Sequence, residues 1–586
     1  MSLGGALRAM ASRLRGVAPS GAASGSSGGA AAGSAAQAAA LLRAGQLASS
    51  RAMLEGLLAA NPEDAEAMGV LGLVAIEQRL PAEACLLAER MERLNPHSPM
   101  VLALAADLMR KGGSVTTALA LAGRAVAADP TCVPGWSVIG DAHEALGRLD
   151  LAAQAVRRLV ALRPDDPAVQ QLLLFLLNRS EYASPQEIAD EHRHWGERFA
   201  DPLTRAASPH GNDADPDRRI RVGYVSADFR THALQRLIEP VLECHDRDAF
   251  FIACYSAWPR PDAVTARLAG KVDLFREVAG LDDQALAARI RADAIDVVID
   301  LSGHTRGNRL LALARKPAPV QATWLGYLGT TGMRAFDYRV VDGYTDPPGS
   351  EPLSVETLAR LPSILCVWRA PEGVPAPSPA PCIRNGHVTF GSFNGYLKLS
   401  DATLRLWGRI LARVPGARLR LVGAERGEGL DRAFELLEAE GCYADRVDVV
   451  SRVPLEEYYA QFAHADLALD PFPYNGGTTT CDTLWMGVPV VTLAGGNSLA
   501  RCGLMHLANA GLPELVAQTE EQYVDIAVAL ANDSQRLTGY RAGMRDRLRA
   551  SPLQDYAGLT RALEGELRGM WRRWCAGRTS RSGGAK

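Results

Sequence analysis

Residues 470–495 read DPFPYNGGTTTCDTLWMGVPVVTLAG, and their types suit phosphate chemistry. An expected strand ends at Asp470, a Pro/Tyr turn follows, and Gly476-Gly477-Thr478-Thr479-Thr480 leads into an apolar helical run that stops before Gly487. Glycines let a backbone approach a ligand, threonines offer hydroxyls and capping oxygens, and the unpaired amides at a helix start bind phosphate oxygens. Asp482, about one turn in, can accept hydrogen bonds from a ribose. The plainer alternative is a capped strand-to-helix turn with no ligand. No Gly-Lys-Ser/Thr follows, so this is not a Walker loop, and no G-x-G-x-x-G follows a strand in the preceding region, which speaks against a nicotinamide cofactor.

Three further side chains stand just beyond expected strands. Lys398, in GSFNGYLKLS (391–400), is placed to neutralise a diphosphate leaving group, unless it is an exposed lysine at a helix start. His232, in SADFRTHAL (226–234), suits a general base near neutral pH, although a lone loop histidine is more often merely solvated. His304, in IDLSGHTRG (299–307), ends another strand and competes for that role. His192 and His194 are two apart on an expected helix and do not share a face as metal ligands, and the other histidines have no evident partners. No D-x-D pair ends a strand in the phosphate region, so the expected chemistry uses no metal and no cofactor.

These residues need strands to carry them. The runs RIRVGYVS (219–226), FFIACYS (250–256), IDVVIDLS (295–302), VQATWLG (320–326) and YRVVDG (338–343) alternate with helical stretches. After the Pro-rich break PEGVPAPSPAPC (371–382), the alternation resumes with HVTFGSF (387–393), RLRLVG (418–423), RVDVVS (446–451), DLALD (466–470) and VPVVTL (488–493). Such interleaving predicts two mostly parallel sheets covered by helices, with ligands in the cleft outside the carboxyl ends of the strands.

The N-terminal third is a repeat. Pro62, Pro96, Pro130 and Pro164 fall in phase at a 34-residue step, as do Ser50, Ala84, Ala118 and Ala152, while Gly72, Ala106 and Gly140 hold a small position. Small residues let two helices pack closely, and each proline is expected to end one pair and open the next. Stacked pairs build a concave groove suited to a peptide or protein, the alternative being a spacer or dimerisation element. Val169 to Leu177 lacks the full pattern and reads as a cap.

The 586 residues are 47% hydrophobic, with 63 basic against 66 acidic side chains, which gives no electrostatic case for nucleic acid or an anionic membrane. The ten cysteines are scattered, with no C-x-x-C, and read as reduced thiols. No run is long and apolar enough to span a membrane, and the Ala/Gly/Ser-rich start lacks an apolar h-region, so a disordered leader and a cytoplasmic location are expected. The expected divisions are a leader (1–34), a repeat solenoid (35–184), a helical linker (185–217) containing PHGNDADPD, a first α/β half (218–380), a second half with a closing helix (381–576), and a tail (577–586).

The repeat pattern resembles the tetratricopeptide repeat. Together with GYVSADFRTH, KPAPVQATWLGYLGTTG, VTFGSFNGYLK and DPFPYNGGTTTCDTLWMGVPVVT, it makes the chain, from about residue 40 to 575, resemble bacterial members of the protein O-GlcNAc transferase family. The resemblance implies an α solenoid followed by a GT-B glycosyltransferase with two Rossmann-like domains. It also implies metal-independent, inverting transfer of N-acetylglucosamine from UDP-GlcNAc to Ser/Thr hydroxyls of proteins that the repeat groove guides. By motif, His232 matches the family's active-site histidine, Lys398 its diphosphate-contacting lysine, Thr478 and Thr479 its phosphate-binding threonines, and Asp482 its ribose-binding aspartate. Gly477, Gly395, Leu455 and Tyr458 depart from the animal enzyme's pattern, which leaves backbone near Val453 to contact the base. LSGHT, FGSFN and FPYNGGTTTC are also similar to the plant SPINDLY-type proteins, which implies GDP-fucose as an alternative donor. A weak scaffold that only holds the nucleotide sugar is the remaining alternative.

Overall fold

The computed structural model describes residues 33–583, and the expected leader lies outside them except for Gly33 and Ser34. Two compact units result, one reaching Leu173 and including Arg426–Arg432, the other comprising Leu174–Glu425 and Ala433 onward.

The first unit is a stack of helix pairs: Ala35–Arg43 with Leu47–Ala60, Ala65–Glu77 with Pro81–Leu94, Pro99–Lys111 with Val115–Ala128, and Val133–Ala145 with Leu149–Leu162. The in-phase small residues sit where helices touch. Ala84, Ala118 and Ala152 are fully buried, and the Ser50 hydroxyl donates to the Ala38 carbonyl at 2.8 Å. A Cβ on Gly72 would lie 2.5 Å from Leu108 Cδ1, so this position admits no side chain without repacking. Each in-phase proline follows the C-cap of the second helix of a pair and sits in the turn, where it cannot prolong that helix. The prolines that open helices are others, among them Pro81, Pro99 and Pro167. The division between the units falls within the capping helix Pro167–Leu177, earlier than the expected boundary at 184.

The second unit begins with the helix Pro185–Trp195, a π-helical turn at Gly196–Ala200 and the short helix Asp201–Arg205. Trp195 and Ala200 are buried in one core with Val225, Val298, Met333 and Phe336, so these helices form part of the first half's packing. The strands of that half are β1 (Ile220–Ser226), β2 (Phe250–Ser256), β3 (Leu274–Glu277), β4 (Val297–Asp300), β5 (Val320–Thr323), β6 (Tyr338–Asp342) and β7 (Thr357–Leu361), ordered 3-2-1-4-5-6-7 and all parallel. The other half carries β8 (Thr389–Ser392), β9 (Arg418–Val422), β10 (Val447–Val450), β11 (Leu467–Leu469), β12 (Val490–Leu493) and β13 (Val516–Ala517), ordered 10-9-8-11-12-13, again parallel.

Each sheet reverses its direction of growth once, between β1 and β4 and between β8 and β11. Loops leaving a sheet at such a point diverge and open a crevice at the strands' carboxyl ends.

The closing helix, Tyr556–Gly583, corrects one assignment. Expected with the second half, it packs on the first: Glu564 Oε1 accepts from His245 Nδ1 (2.9 Å) and the Asp246 amide (2.8 Å), and Trp571 Nε1 donates to the Asp215 carbonyl (2.9 Å). The helix also continues past Ala576 into the expected tail.

Candidate active site

The sequence-predicted residues gather at the two reversal points. His232 follows β1 and His304 follows β4, while Lys398 follows β8 and the Gly476–Thr479 run follows β11.

In the second half the loop is held from beneath. Asp470 is fully buried; its Oδ1 accepts from the Gly476 amide (2.8 Å) and its Oδ2 from Thr492 Oγ1 (2.7 Å). Burial raises the Asp470 pKa to about 6, opposed by the Gly476 amide, Thr492 and Lys398. Gly477 is the N-cap of the helix Thr478–Trp485 and supplies no capping side chain, so the first amides of that helix are left for a ligand. Thr480 Oγ1 and Asn394 Oδ1 are buried beside this loop without a hydrogen-bond partner among the described residues. Lys398 lies in a turn, Tyr396–Lys398, where its Nζ donates to the Asn475 carbonyl at 2.8 Å and stands 4.2 Å over the Tyr474 ring.

The two glycines differ in what they permit. A Cβ on Gly476 would fall 2.4 Å from Thr480 Oγ1 and 3.0 Å from Asp470 Oδ1, whereas a Cβ on Gly477 would meet nothing within 4 Å. Gly476→Ala is therefore expected to displace the loop and weaken binding of the expected nucleotide about tenfold or more, at a stability cost of about 1–3 kcal/mol. Gly477→Ala meets no protein atom, so its stability cost should come from the N-cap backbone alone, at φ −98° and ψ −102°, and stay below that of Gly476→Ala. Calorimetric titration and thermal melting of the two variants test the pair.

Asp482 is already engaged. Its Oδ1 accepts from Arg236 Nη1 (2.7 Å) and from the Tyr459 hydroxyl (2.6 Å), and Arg236 Nη1 also lies 2.7 Å from that hydroxyl. Burial raises the Asp482 pKa to about 6, with Arg236 and Tyr459 opposing. Sequence reasoning misses Arg236 and Tyr459; the one signal there is that Arg236 follows His232 by four residues. Val453 is half-buried in the loop beyond β10, ahead of the helix Leu455–Gln461.

The two candidate histidines part company. His232 is 41% exposed and its Nδ1 accepts from the Leu234 amide at 3.3 Å, so the ring carries its proton on Nε2 and acts as a base only by releasing that bond. Burial lowers its pKa, with Asp228 opposing, which keeps the imidazole neutral to lower pH. His304 is 4% exposed, its Nε2 donates to the Thr331 carbonyl at 2.8 Å, and its ring packs edge-on to Trp195 and His192. The structure thus removes His304 from the cleft surface. The sequence offers His192 and His245 no evident partners, yet both have them. His192 Nδ1 donates to the Ile188 carbonyl and its Nε2 accepts from the Tyr327 hydroxyl, both at 2.6 Å. His245 bridges Tyr224 and Glu564.

A model of glycosyl transferase family 41 matches residues 178–368 and 382–563. The chain belongs to that family. A tetratricopeptide repeat model matches 35–99 and 102–167. Among curated relatives, the probable UDP-N-acetylglucosamine–peptide N-acetylglucosaminyltransferase SPINDLY of Petunia hybrida is 40% identical over 71% of this chain and 45% of its own length. The Arabidopsis thaliana relative SEC is 29% identical over 61% of this chain and 38% of its own. The chain thus spans less than half the length of these relatives. Among solved structures, a mutant of the Thermobaculum terrenum O-GlcNAc transferase matches with a TM-score of 0.78 and 35% identity, covering 93% of this chain and 98% of the other. The GT-B architecture with N-terminal repeats, expected from the motifs, is the fold of this family member. No helix among the described residues is long and apolar enough to cross a membrane.

Proposed function

We propose that the chain is an inverting, metal-independent protein O-glycosyltransferase that moves N-acetylglucosamine from UDP-GlcNAc to Ser/Thr hydroxyls. The observation that carries this reading is the placement of Lys398 and the Gly476–Thr479 loop at one sheet's reversal point and His232 at the other's. The Arg236–Asp482 ion pair joins those two regions across one cleft. In this scheme the diphosphate rests on the helix start at Gly477–Thr479 and against Lys398, which receive the negative charge as the glycosidic bond breaks. The acceptor hydroxyl attacks the anomeric carbon from the opposite face, beside His232. The base lies toward Val453, and the solenoid groove guides the protein acceptor. The cation and the helix start supply the neutralising charge, so no step calls for a metal or a cofactor.

The O-GlcNAc transferase similar over 93% of this chain supports N-acetylglucosamine as the sugar, and the name of the Petunia hybrida relative supports UDP as its carrier. The motifs LSGHT, FGSFN and FPYNGGTTTC, similar to the SPINDLY-type proteins, keep GDP-fucose as a second reading. Calorimetry with UDP, UDP-GlcNAc, GDP and GDP-fucose, followed by transfer to acceptor proteins, tests both. Preference for the uridine pair with sugar transfer is the expected result. Preference for the guanosine pair moves the protein to the fucosyl reading, and binding without transfer to any acceptor leaves a scaffold.

A further inference from the structure

The contact between Arg236 and Asp482 joins the two halves, and the transfer scheme gives it no chemical role. Arg236 belongs to the first half, on the helix Gln235–Cys244, and its carbonyl accepts from the Arg369 amide at 2.9 Å. From there its side chain reaches Asp482 on the helix that starts at Thr478, with the two side chains 14% and 8% exposed. Tyr459 completes a triangle on Asp482 Oδ1. Asp482 Oδ2 takes no hydrogen bond among the described residues and is not sealed from solvent. One carboxylate oxygen is therefore saturated, and the other is held in place with acceptor capacity to spare.

We propose that Arg236 is a positioning residue for the nucleotide: from the opposite half it pins Asp482 Oδ1 and leaves Oδ2 to accept from the hydroxyls of a nucleotide's ribose. The inference rests on the reading of the second half as the nucleotide pocket, and it lets Asp482 serve a ribose and the Arg236 pair at once. A carboxylate this deeply buried keeps its charge only when a cation compensates it, and a protonated carboxyl is a poor acceptor. Arg236 supplies that cation. The other titratable groups facing Asp482 are Tyr459 and Tyr458 of the helix Leu455–Gln461 and Cys481 of its own helix, all pushed up by burial and so neutral.

The test is titration of UDP-GlcNAc and of GDP-fucose, whose esterified diphosphates do not titrate in this range, into the parent protein, R236M, R236K and D482N, from about pH 5.5 to about pH 8.5, a range that brackets the ordinary histidine value. In the parent, affinity should fall as pH drops through about 6, where Asp482 takes up a proton. In R236M that loss should move up by about one pH unit or more, with roughly tenfold weaker binding near neutrality. R236K should keep the parental midpoint, and D482N should bind weakly and keep no pH dependence beyond that of Asp470, whose pKa burial also raises to about 6 beneath the loop. An R236M variant with an unmoved midpoint overturns the inference, whether its affinity is parental or uniformly reduced, and leaves the functional reading standing. A parent that binds neither nucleotide overturns the functional reading and this inference with it.

Discussion

Lys398→Ala is expected to lower turnover by about 10²–10³-fold, or about 3–4 kcal/mol of transition-state stabilisation, while the protein stays folded. The size follows from how the ammonium is held. Its Nζ is fixed at 2.8 Å from the Asn475 carbonyl and 4.2 Å over the Tyr474 ring, next to the amides at the start of the helix Thr478–Trp485. Burial lowers its pKa, while Asp470 beneath the loop opposes that shift. A cation placed in this way before the reaction needs no reorganisation when the diphosphate departs, so its removal falls on the transition state more than on donor binding. The fold should survive because the lysine makes one hydrogen bond and one ring contact, worth about 1–2 kcal/mol together. Lys398→Arg should not restore activity, since a planar guanidinium does not fit a site built for a compact ammonium. Single-turnover transfer with labelled donor, alongside melting curves, measures both halves of this expectation. Turnover within tenfold of the parent would remove Lys398 from its assigned place.

Much of this site is readable as strand ends. Residues that follow β-branched runs end up where parallel sheets open, and that rule finds His232, Lys398 and the 476–479 loop. The repeat is equally legible, because in-phase prolines and small residues record helix ends and helix contacts directly. What escapes are features decided by contacts between distant segments. The strands β3, β7 and β13, with the sequences LFRE, TLARL and VA, are short or polar and carry no run to announce them. His304 has the local sequence of an exposed catalytic residue, yet Trp195 and His192, more than a hundred residues earlier, pack over it. The closing helix joins the first half through Glu564 and Trp571, whose partners His245, Asp246 and Asp215 lie over three hundred residues away. Asp482 is legible as an acceptor, but no local pattern announces that Arg236 reaches it from the other half.

The same long-range logic makes Gly332 the position where one methyl group should do most harm. Its φ is +74°, in the left-handed region, and a Cβ there would lie 1.9 Å from the His192 carbonyl oxygen. Across the contact, a Cβ on Gly196 would lie 1.8 Å from the Gly332 carbonyl oxygen. Two stretches of backbone thus meet with no side chain between them, at the π-helical turn Gly196–Ala200 and the loop that follows β5. Neither side can give way easily, because Trp195 and Ala200 on one, and Met333 and Phe336 on the other, are buried in the same core. Gly332→Ala combines the left-handed backbone penalty, about 1–2 kcal/mol, with overpacking of about 1–3 kcal/mol. Gly196→Ala carries the overpacking alone. Both should lower the unfolding midpoint of the second unit, Gly332→Ala by more. Loosening of this contact should also release His304 from beneath Trp195, so His304 should exchange with solvent faster in the variants. Urea unfolding followed by tryptophan emission, with histidine hydrogen exchange on the native protein, measures each effect. Equal stability of Gly332→Ala and the parent would mean that the two segments do not meet in solution as they do here.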